Sequence, residues 1–518
     1  MSTSNKIAKT ALAIVIITLV SKLLGFVRET LIAAKFGSGM ETDTFFVALT
    51  VTTLITNLIG NALSTTLIPV LSEVEIKEGK EGKINHTNNM INVIFLISIV
   101  LAVITWFSSP IIVRLTAKGF QGEQYNLAVK LTRMGTPMIL FSGLIGSLTG
   151  YLQSKQRHMS SAAIGFPFNL VYIFYLVLLS SRFGIEGLMV AAVFAILSQL
   201  LIQIPEARKA GYKYKFILDV KDSYIRKALS LSIPVIIGVA INDVNAIIDR
   251  TLASDLVTGS ISALNYGNKL NGLVLSIFVS AVTTVIFPLL SKESNKGNID
   301  GIKRIMGEGI NLILIITIPT TVGLFILAKP IIEVVFERGA FTADATVMAA
   351  QALKFYALGL IASSLQLLLT RVYYSLQNTK MPMIAGVLSV GINVILNLIL
   401  VRYMAHGGLA LATSIAITIA TLFLFYSLKQ KIGSLGTIEY IKCGIKSGVA
   451  SSIMGLVAYT LYHGLYSKLR VSKLFNLISL VAAVGVAVIV YIILCYLLRI
   501  KEIRAILNKL KLYLKHRK

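Results

Sequence analysis

Apolar residues run along this chain in long blocks, separated by short polar punctuation. Fourteen blocks can be marked off, at about 8–36, 43–72, 90–116, 126–154, 160–182, 186–206, 226–254, 261–290, 305–334, 346–376, 381–404, 408–428, 440–466 and 474–498. A helix crosses a ~30 Å hydrocarbon core in about 20 residues, so each block predicts one span, and the longer ones predict tilt. The expected fold class is an all-α polytopic membrane protein with about 14 transmembrane helices. The first block is not uniformly apolar. On a helix, Ser21, Lys22, Gly25, Arg28 and Glu29 share an arc of about 120°, and Leu23, Leu24, Phe26 and Val27 fill the rest. A Lys or Arg near the bilayer centre costs at least ~2.5–3.5 kcal/mol, so this stripe should face protein or water. The alternative is a pair snorkelling from a helix end, which fits poorly with Lys22 near the middle of the block.

The second half of the pattern repeats the first. Pro69-Val70-Leu71-Ser72 recurs as Pro288-Leu289-Leu290-Ser291, and Leu152-Gln153 with Lys155 recurs as Leu376-Gln377 with Lys380. Asn169 matches Asn393, and Gly187-Leu188 with Ala191 matches Gly408-Leu409 with Ala412. The common order predicts two six-helix lobes related by a parallel repeat plus two extra C-terminal helices, an architecture used by transporters. The expected organisation is an N-lobe over 1–209, a C-lobe with an inner linker over 210–432, and spans 13 and 14 over 433–498. A basic tail follows over 499–518, where Ile503, Ile506, Leu507, Leu510 and Leu514 repeat at helical spacing against Lys and Arg. It reads as an interfacial amphipathic helix, with a disordered basic tail as the alternative.

Composition agrees with the pattern. Of 518 residues, 55% are hydrophobic and 14% charged, and the mean hydropathy of +0.80 excludes an ordinary soluble protein. The net charge of +26 would suggest nucleic acid in a soluble protein; here it predicts cationic loops facing an anionic inner leaflet. With the N-terminus inside, inner loops and termini carry about 31 Lys and Arg against about 10 outside, which places both termini in the cytoplasm. The apolar run after Lys6 and Lys9 continues to Phe36 without a clear cleavage pattern, so an uncleaved first span is expected. Cys443 and Cys495 lie in apolar blocks and read as buried thiols.

Other polar residues also lie inside spans. Span 7 carries Asn242, Asn245 and Asp249 on one face, with Asp243 and Arg250 beside them, spaced to screen each other. Lys269 sits in Tyr266-Gly267-Asn268-Lys269-Leu270-Asn271-Gly272, which suggests a weakened helix lining a cavity, or else a loop-proximal anchor. Lys130, Arg133, Lys354 and Arg371 lie nearer span ends and read as snorkelling. Asn393 and Asn397, and likewise Leu409 and Thr413, are one turn apart; with Asp249 they offer oxygens to Na⁺, and interhelical amide bonding is the equal alternative. There is no Gly-x4-Gly-Lys-Ser/Thr loop, no His-Glu-x-x-His and no Cys-x-x-Cys, and no extramembrane stretch exceeds about 25 residues. An ATP-driven pump and an enzyme with a soluble site are therefore disfavoured.

Several stretches resemble a known family. They are Ser21 to Glu29, Phe36-Gly37, Thr42-Asp43-Thr44-Phe45-Phe46-Val47-Ala48, Asp249-Arg250, Gly259 to Tyr266, Glu337-Arg338-Gly339-Ala340-Phe341-Thr342, Arg371 to Tyr374 and Gln377 to Lys380. Together they resemble the MurJ/MviN lipid II flippases of the multidrug/oligosaccharidyl-lipid/polysaccharide exporter superfamily. The resemblance implies a flippase for the undecaprenyl-pyrophosphate-linked peptidoglycan precursor in the bacterial cytoplasmic membrane. It assigns substrate cations to Lys22, Arg28 and Lys269, with Glu29 as the neighbouring acid. It puts a Na⁺ site on Asp249, Asn393, Asn397, Thr413 and the Leu409 carbonyl, and a lipid-tail groove on spans 13 and 14. The chain departs from the family in having no cation over Thr50–Asn57, and Lys at 22 and 269 where Arg is frequent. Lys keeps the charge and loses the bidentate fork.

The expected function is thus a non-enzymatic lipid II flippase working by alternating access, driven by an ion gradient or the membrane potential. Its expected partners are the lipid-linked precursor, membrane lipids and cell-wall synthesis enzymes. Alternatives are a flippase for another polyprenyl-linked glycan, a cation-coupled drug exporter, or a membrane scaffold. An exporter of cationic drugs wants acids where this chain has Lys and Arg, and a scaffold gains nothing from charged stripes.

Overall fold

The computed structural model describes residues 3–468, 473–505 and 508, and every regular element among them is a helix. The chain divides into two compact units, Met1–Ser262 with Arg338–Phe341, and Ala263–Glu337 with Thr342–Lys518.

The first unit contains α1 (Thr3–Phe36), α2 (Met40–Thr116), α3 (Gly122–Gly135), α4 (Pro137–Ser154), α5 (His158–Ala163), α6 (Gly165–Phe174), α7 (Ser180–Lys209) and α8 (Ser223–Ser254). At 1.5 Å per residue, the 77 residues of α2 would run about 115 Å, several bilayer thicknesses. The helix is broken at Gly79, whose φ of 73° and ψ of −167° are non-helical, so α2 holds two spans. Both arms contribute to one core: Leu63, Leu67 and Leu71 before the break meet Met90 and Ile94 after it, with Tyr151 and Leu152 of α4 and Ile225 and Ala228 of α8. Ion pairs gather around the break, between the two spans. Lys227 and Lys77 donate to Glu73 and pull its carboxyl down to about 2; Lys155 and Lys83 do the same to Glu75.

The basic segment read as an inner linker is strapped along α2. Asn88 donates to the Lys213 carbonyl (3.0 Å), Asn92 to that of Ile217 (2.9 Å) and Asn89 to that of Asp219 (3.0 Å). In return Tyr212 donates to Asn88 (2.6 Å), Tyr214 to Asn92 (2.9 Å) and the Asp219 amide to Asn89 (2.7 Å). His86 closes the strap between Asp222 (2.6 Å) and Glu78 (2.9 Å).

Helix α9 (Ser260–Val274) begins in the first unit and continues into the second. There follow α10 (Ser280–Asn295), α11 (Ile299–Ile326), α12 (Ala328–Phe336), α13 (Ala343–Leu358), α14 (Leu360–Ser375), α15 (Lys380–Ile432), α16 (Thr437–Lys468) and α17 (Lys473–Leu497). One core joins Ile286 and Leu290 of α10, Ile310 and Ile313 of α11, Leu368 and Val372 of α14 and Leu424 and Leu428 of α15. A second joins α11 to α16 and α17 through Ile315, Cys443, Ala450, Met454, Tyr491 and Cys495. Both cysteines are buried free thiols, as expected. In the tail only residues to 505, and 508, are described: Ile500 is buried and Ile503 packs on the same core. Ile506, Leu507, Leu510 and Leu514 lie outside the described residues.

Seven described helices, or eight with the bent α13–α14 pair, are long and apolar enough to span a membrane. Three of those seven, α2, the α5–α7 stretch and α15, each contain a non-helical residue that divides them: Gly79, Gly184 and Ala405. Fourteen spans are compatible with these elements.

The backbone also carries the internal repeat. Every described left-handed residue before position 220 has a left-handed counterpart 217–222 residues later: Gly37 and Gly259, Gly79 and Gly297, Gly122 and Gly339, Gln156 and Gln377, Gly184 and Ala405, Gly211 and Gly433. Gln156 and Gln377 close the same stop, in which Arg157 donates to Leu152 O and Asn378 to Tyr373 O, both at 2.9 Å.

One local expectation is corrected. Tyr266 to Gly272 is regular helix, and the irregularity falls just beyond it, as a π-turn over Leu275–Val279. Gly267 is a packing glycine there: a Cβ would lie 2.9 Å from the Leu353 amide of α13.

Candidate functional site

Helix α1 sorts its residues as its stripe demanded. Ile16, Val20, Leu23 and Val27 form an exposed apolar line, and Glu29 on the other side is 4% exposed. That side meets α6 closely. Asn169 donates to Ser21 O (3.0 Å) and to Gly165 O (2.8 Å), and a Cβ on Gly165 would lie 2.1 Å from the Ser21 hydroxyl.

Beyond this contact Arg28 is enclosed. Its guanidinium carbon lies 5.3 Å from the Phe168 ring centroid and 5.0 Å from that of Tyr172, within cation–π range of both. Its Nη2 donates to Glu29 Oε1 at 2.6 Å, and its Nε is buried with no hydrogen-bond partner. A guanidinium in low dielectric with a buried N–H unmet favours a further anionic oxygen. Lys22, six residues and nearly two turns earlier, is partly exposed. Lys22, Arg28 and Glu29 thus share one helix, and Glu29 acts first on Arg28. The two rings were missed by sequence reasoning; their trace was Phe168, Asn169 and Tyr172 on one face of span 5.

The motif residues that resembled a family have structural duties in the first unit. Buried Asp43 accepts from the Gly259 amide (2.6 Å), the Ser262 amide (2.7 Å) and the Ser262 hydroxyl, and so caps the first turn of α9. Arg250 donates to Ile261 O (3.0 Å) and lies 5.9 Å from the centroid of the Phe46 ring. The side chains of Asn242 and Asp243 lie outside the described residues. The Ala340 amide donates to Ala34 O at 2.8 Å, and Gly339, at φ +60°, leaves no room there: a Cβ would lie 2.1 Å from the same oxygen. Asp249 is a partly buried residue of α8.

In the second unit, Lys269 is an exposed residue of α9, beside buried Asn271. Asn393, Asn397, Leu409 and Thr413 form one network across the two arms of α15. Asn397 donates to Asn393 Oδ1 (2.8 Å), Asn393 to Thr413 Oγ1 (3.1 Å) and Thr413 to Leu409 O (3.0 Å). Interhelical amide bonding is therefore realised. The same atoms are a largely buried set of neutral oxygens, with Thr413 partly exposed, and this is the donor chemistry a hard monovalent cation takes. Among the described residues no three His, Cys, Asp or Glu side chains gather as a transition-metal site. Of the snorkelling candidates, Lys130 pairs with Glu186 (2.6 Å), and Arg133 donates to Ser109 (3.0 Å).

A family profile described as "Lipid II flippase MurJ" matches residues 32–484. The chain belongs to the MurJ family. It is 30% identical over 467 residues to the "Probable lipid II flippase MurJ" of Buchnera aphidicola subsp. Acyrthosiphon pisum, covering 88% of this chain and 90% of the relative. To the "Lipid II flippase MurJ" of Burkholderia cenocepacia it is 25% identical, covering 80% and 82%. A solved structure titled "Lipid II flippase MurJ, inward closed conformation" superposes with a TM-score of 0.78 at 26% identity, over 94% of this chain and 98% of that one. An inward-facing multidrug resistance MATE transporter of the MOP superfamily shares the fold, with a TM-score of 0.67 at 13% identity over 82% and 99%. The MurJ profile begins beyond Lys22, Arg28 and Glu29, so the match itself does not reach the charged stripe. As a MurJ-family chain with seven or more apolar helices, this is a multi-pass protein of the bacterial inner membrane.

Proposed function

We propose that this chain flips lipid II across the cytoplasmic membrane. Membership of the MurJ family supports the reading, and the single observation that carries its chemistry is the Arg28 guanidinium, set against Phe168 and Tyr172 with a buried Nε unmet. Lys22 and Arg28 of the first unit and Lys269 of the second are the cations offered to the pyrophosphate, and Glu29 orients Arg28. Movement is by alternating access, biased by membrane potential or by Na⁺. Asn393, Asn397, Thr413 and the Leu409 carbonyl would hold the ion, with Asp249 supplying a carboxylate. Both termini face the cytoplasm by the distribution of Lys and Arg, spans 13 and 14 accommodate the lipid tail, and cell-wall synthesis enzymes take the product.

The test is translocation of lipid II by purified protein in vesicles. Replacing Lys22, Arg28 and Lys269 together by Ala should reduce transport at least a hundredfold with the fold intact, because two or more charge-assisted contacts of ~1.5–3 kcal/mol are lost. Transport at the native rate by that variant overturns the assignment.

A further inference from the structure

A second charged site lies in the second unit, and the proposed transport makes no use of it. A cavity of about 250 Å³ opens where α11, α16 and the turn after α17 meet. Four cations line it: Lys442 and Lys446, one turn apart on α16, and Arg499 and Lys501 from the turn. Two acids, Glu439 and Glu502, leave it net cationic.

The turn is built to place its cations. Helix α17 stops as the Arg499 amide donates to Tyr496 O (3.2 Å) and that of Ile500 to Cys495 O (3.1 Å), with Arg499 left-handed at φ +57°. Ile500, 3% exposed, is packed into the core with Cys443 and Cys495, so Arg499 and Lys501 are held on either side of an anchored residue. A left-handed arginine is strained and persists where the surroundings impose it.

Asn311 of α11 narrows the ligand. Its Nδ2 donates to Glu502 Oε1 at 2.6 Å; because a carboxylate only accepts, this fixes which amide atom is which. The remaining Oδ1 is buried with no hydrogen-bond partner, on a side chain that lines the cavity. A buried lone acceptor beside four cations calls for a ligand that carries both an anionic group and a hydroxyl donor. Next to Lys442 and Lys446, the residues Ile438, Ile441 and Ile445 form an exposed apolar line on α16. Acyl chains fit that line, and free phosphate gains nothing from it.

We infer that this cavity binds the head group of an anionic phospholipid, its phosphodiester on Lys442, Lys446, Arg499 and Lys501 and a head-group hydroxyl on Asn311. Basic pockets between spanning helices on the cytoplasmic side bind such head groups, and the inner leaflet supplies them. The inference is independent of the transported substrate.

Thermal unfolding of the full chain in nanodiscs tests it. Adding phosphatidylglycerol to phosphatidylcholine discs should raise the melting temperature saturably. Phosphatidylmethanol, an anionic diester with no hydroxyl, should need at least a fivefold higher mole fraction for the same rise. The Lys442→Gln/Lys446→Gln/Arg499→Gln variant should melt as the native protein does in pure phosphatidylcholine and lose most of the rise. The Lys442→Arg/Lys446→Arg variant should keep it, which separates lost binding from lost folding. An equal rise in native and Gln-substituted protein overturns the site. An equal rise from millimolar inorganic phosphate in phosphatidylcholine discs overturns the lipid and leaves an anion site only. Equal potency of the two anionic lipids overturns the role of Asn311.

Discussion

Arg28 shows how one side chain changes meaning once its neighbours are known. In the sequence it is a costly cation on a membrane helix beside an acid; in the structure it lies against two neighbouring rings, Phe168 and Tyr172, and is held by Glu29 at 2.6 Å. Arg28→Lys keeps the charge but loses the broad guanidinium and part of a cation–π contact worth about 1–2 kcal/mol. Lipid II translocation in vesicles should fall about tenfold, with a melting temperature within a few degrees of the native protein; an unchanged rate would show that charge alone is used there. The stripe on α1 was legible because helical periodicity sorts residues within one segment. Its partners were not: Asn169 meets Ser21 across 148 residues, and no local pattern encodes that pairing.

At the scale of elements, the segment after α7 illustrates a different gap. A run of Lys, Arg and Tyr reads as an inner linker, and its charge does not say what it touches. Asn88, Asn89 and Asn92 on α2 read its backbone carbonyls, so an extended segment with no ladder of its own has its polar groups satisfied by side chains. Replacing the three asparagines by Ala removes these bonds, each worth ~0.5–1.5 kcal/mol. Limited trypsin digestion should then cut after Lys213 or Lys215 at least tenfold faster than in the native protein, because cleavage reports local opening. An unchanged digestion rate would mean that the strap is held by its ion pairs.

Across the whole molecule the repeat is written more clearly in the backbone than in the side chains. Short motifs suggested it, but apolar segments resemble one another by composition alone. The left-handed positions are rarer and pair off one by one along the chain. Ala405 stands out, since its counterpart is Gly184 and its φ of 47° and ψ of −132° suit glycine. Strain of this kind costs ~1–3 kcal/mol, so Ala405→Gly should raise the melting temperature in detergent by about 1–3 °C. A fall would show that the Ala405 methyl group contributes packing worth more than the strain.

The amino-acid sequence by itself determined the class of fold, the charged stripe on α1, the internal repeat and the family resemblance. Each follows from local periodicity, from the cost of polar groups in hydrocarbon, or from short motifs kept in order. Tertiary structure alone decided what the polar residues do. It turned Asp43 into a helix cap, made Asn393, Asn397, Thr413 and Leu409 one network, set Arg28 against two rings, and gathered Lys442, Lys446, Arg499 and Lys501 around Asn311. The physical reason is that a buried polar group must find its partner in space, and the packing of distant helices, not their own periodicity, sets which partner is within reach.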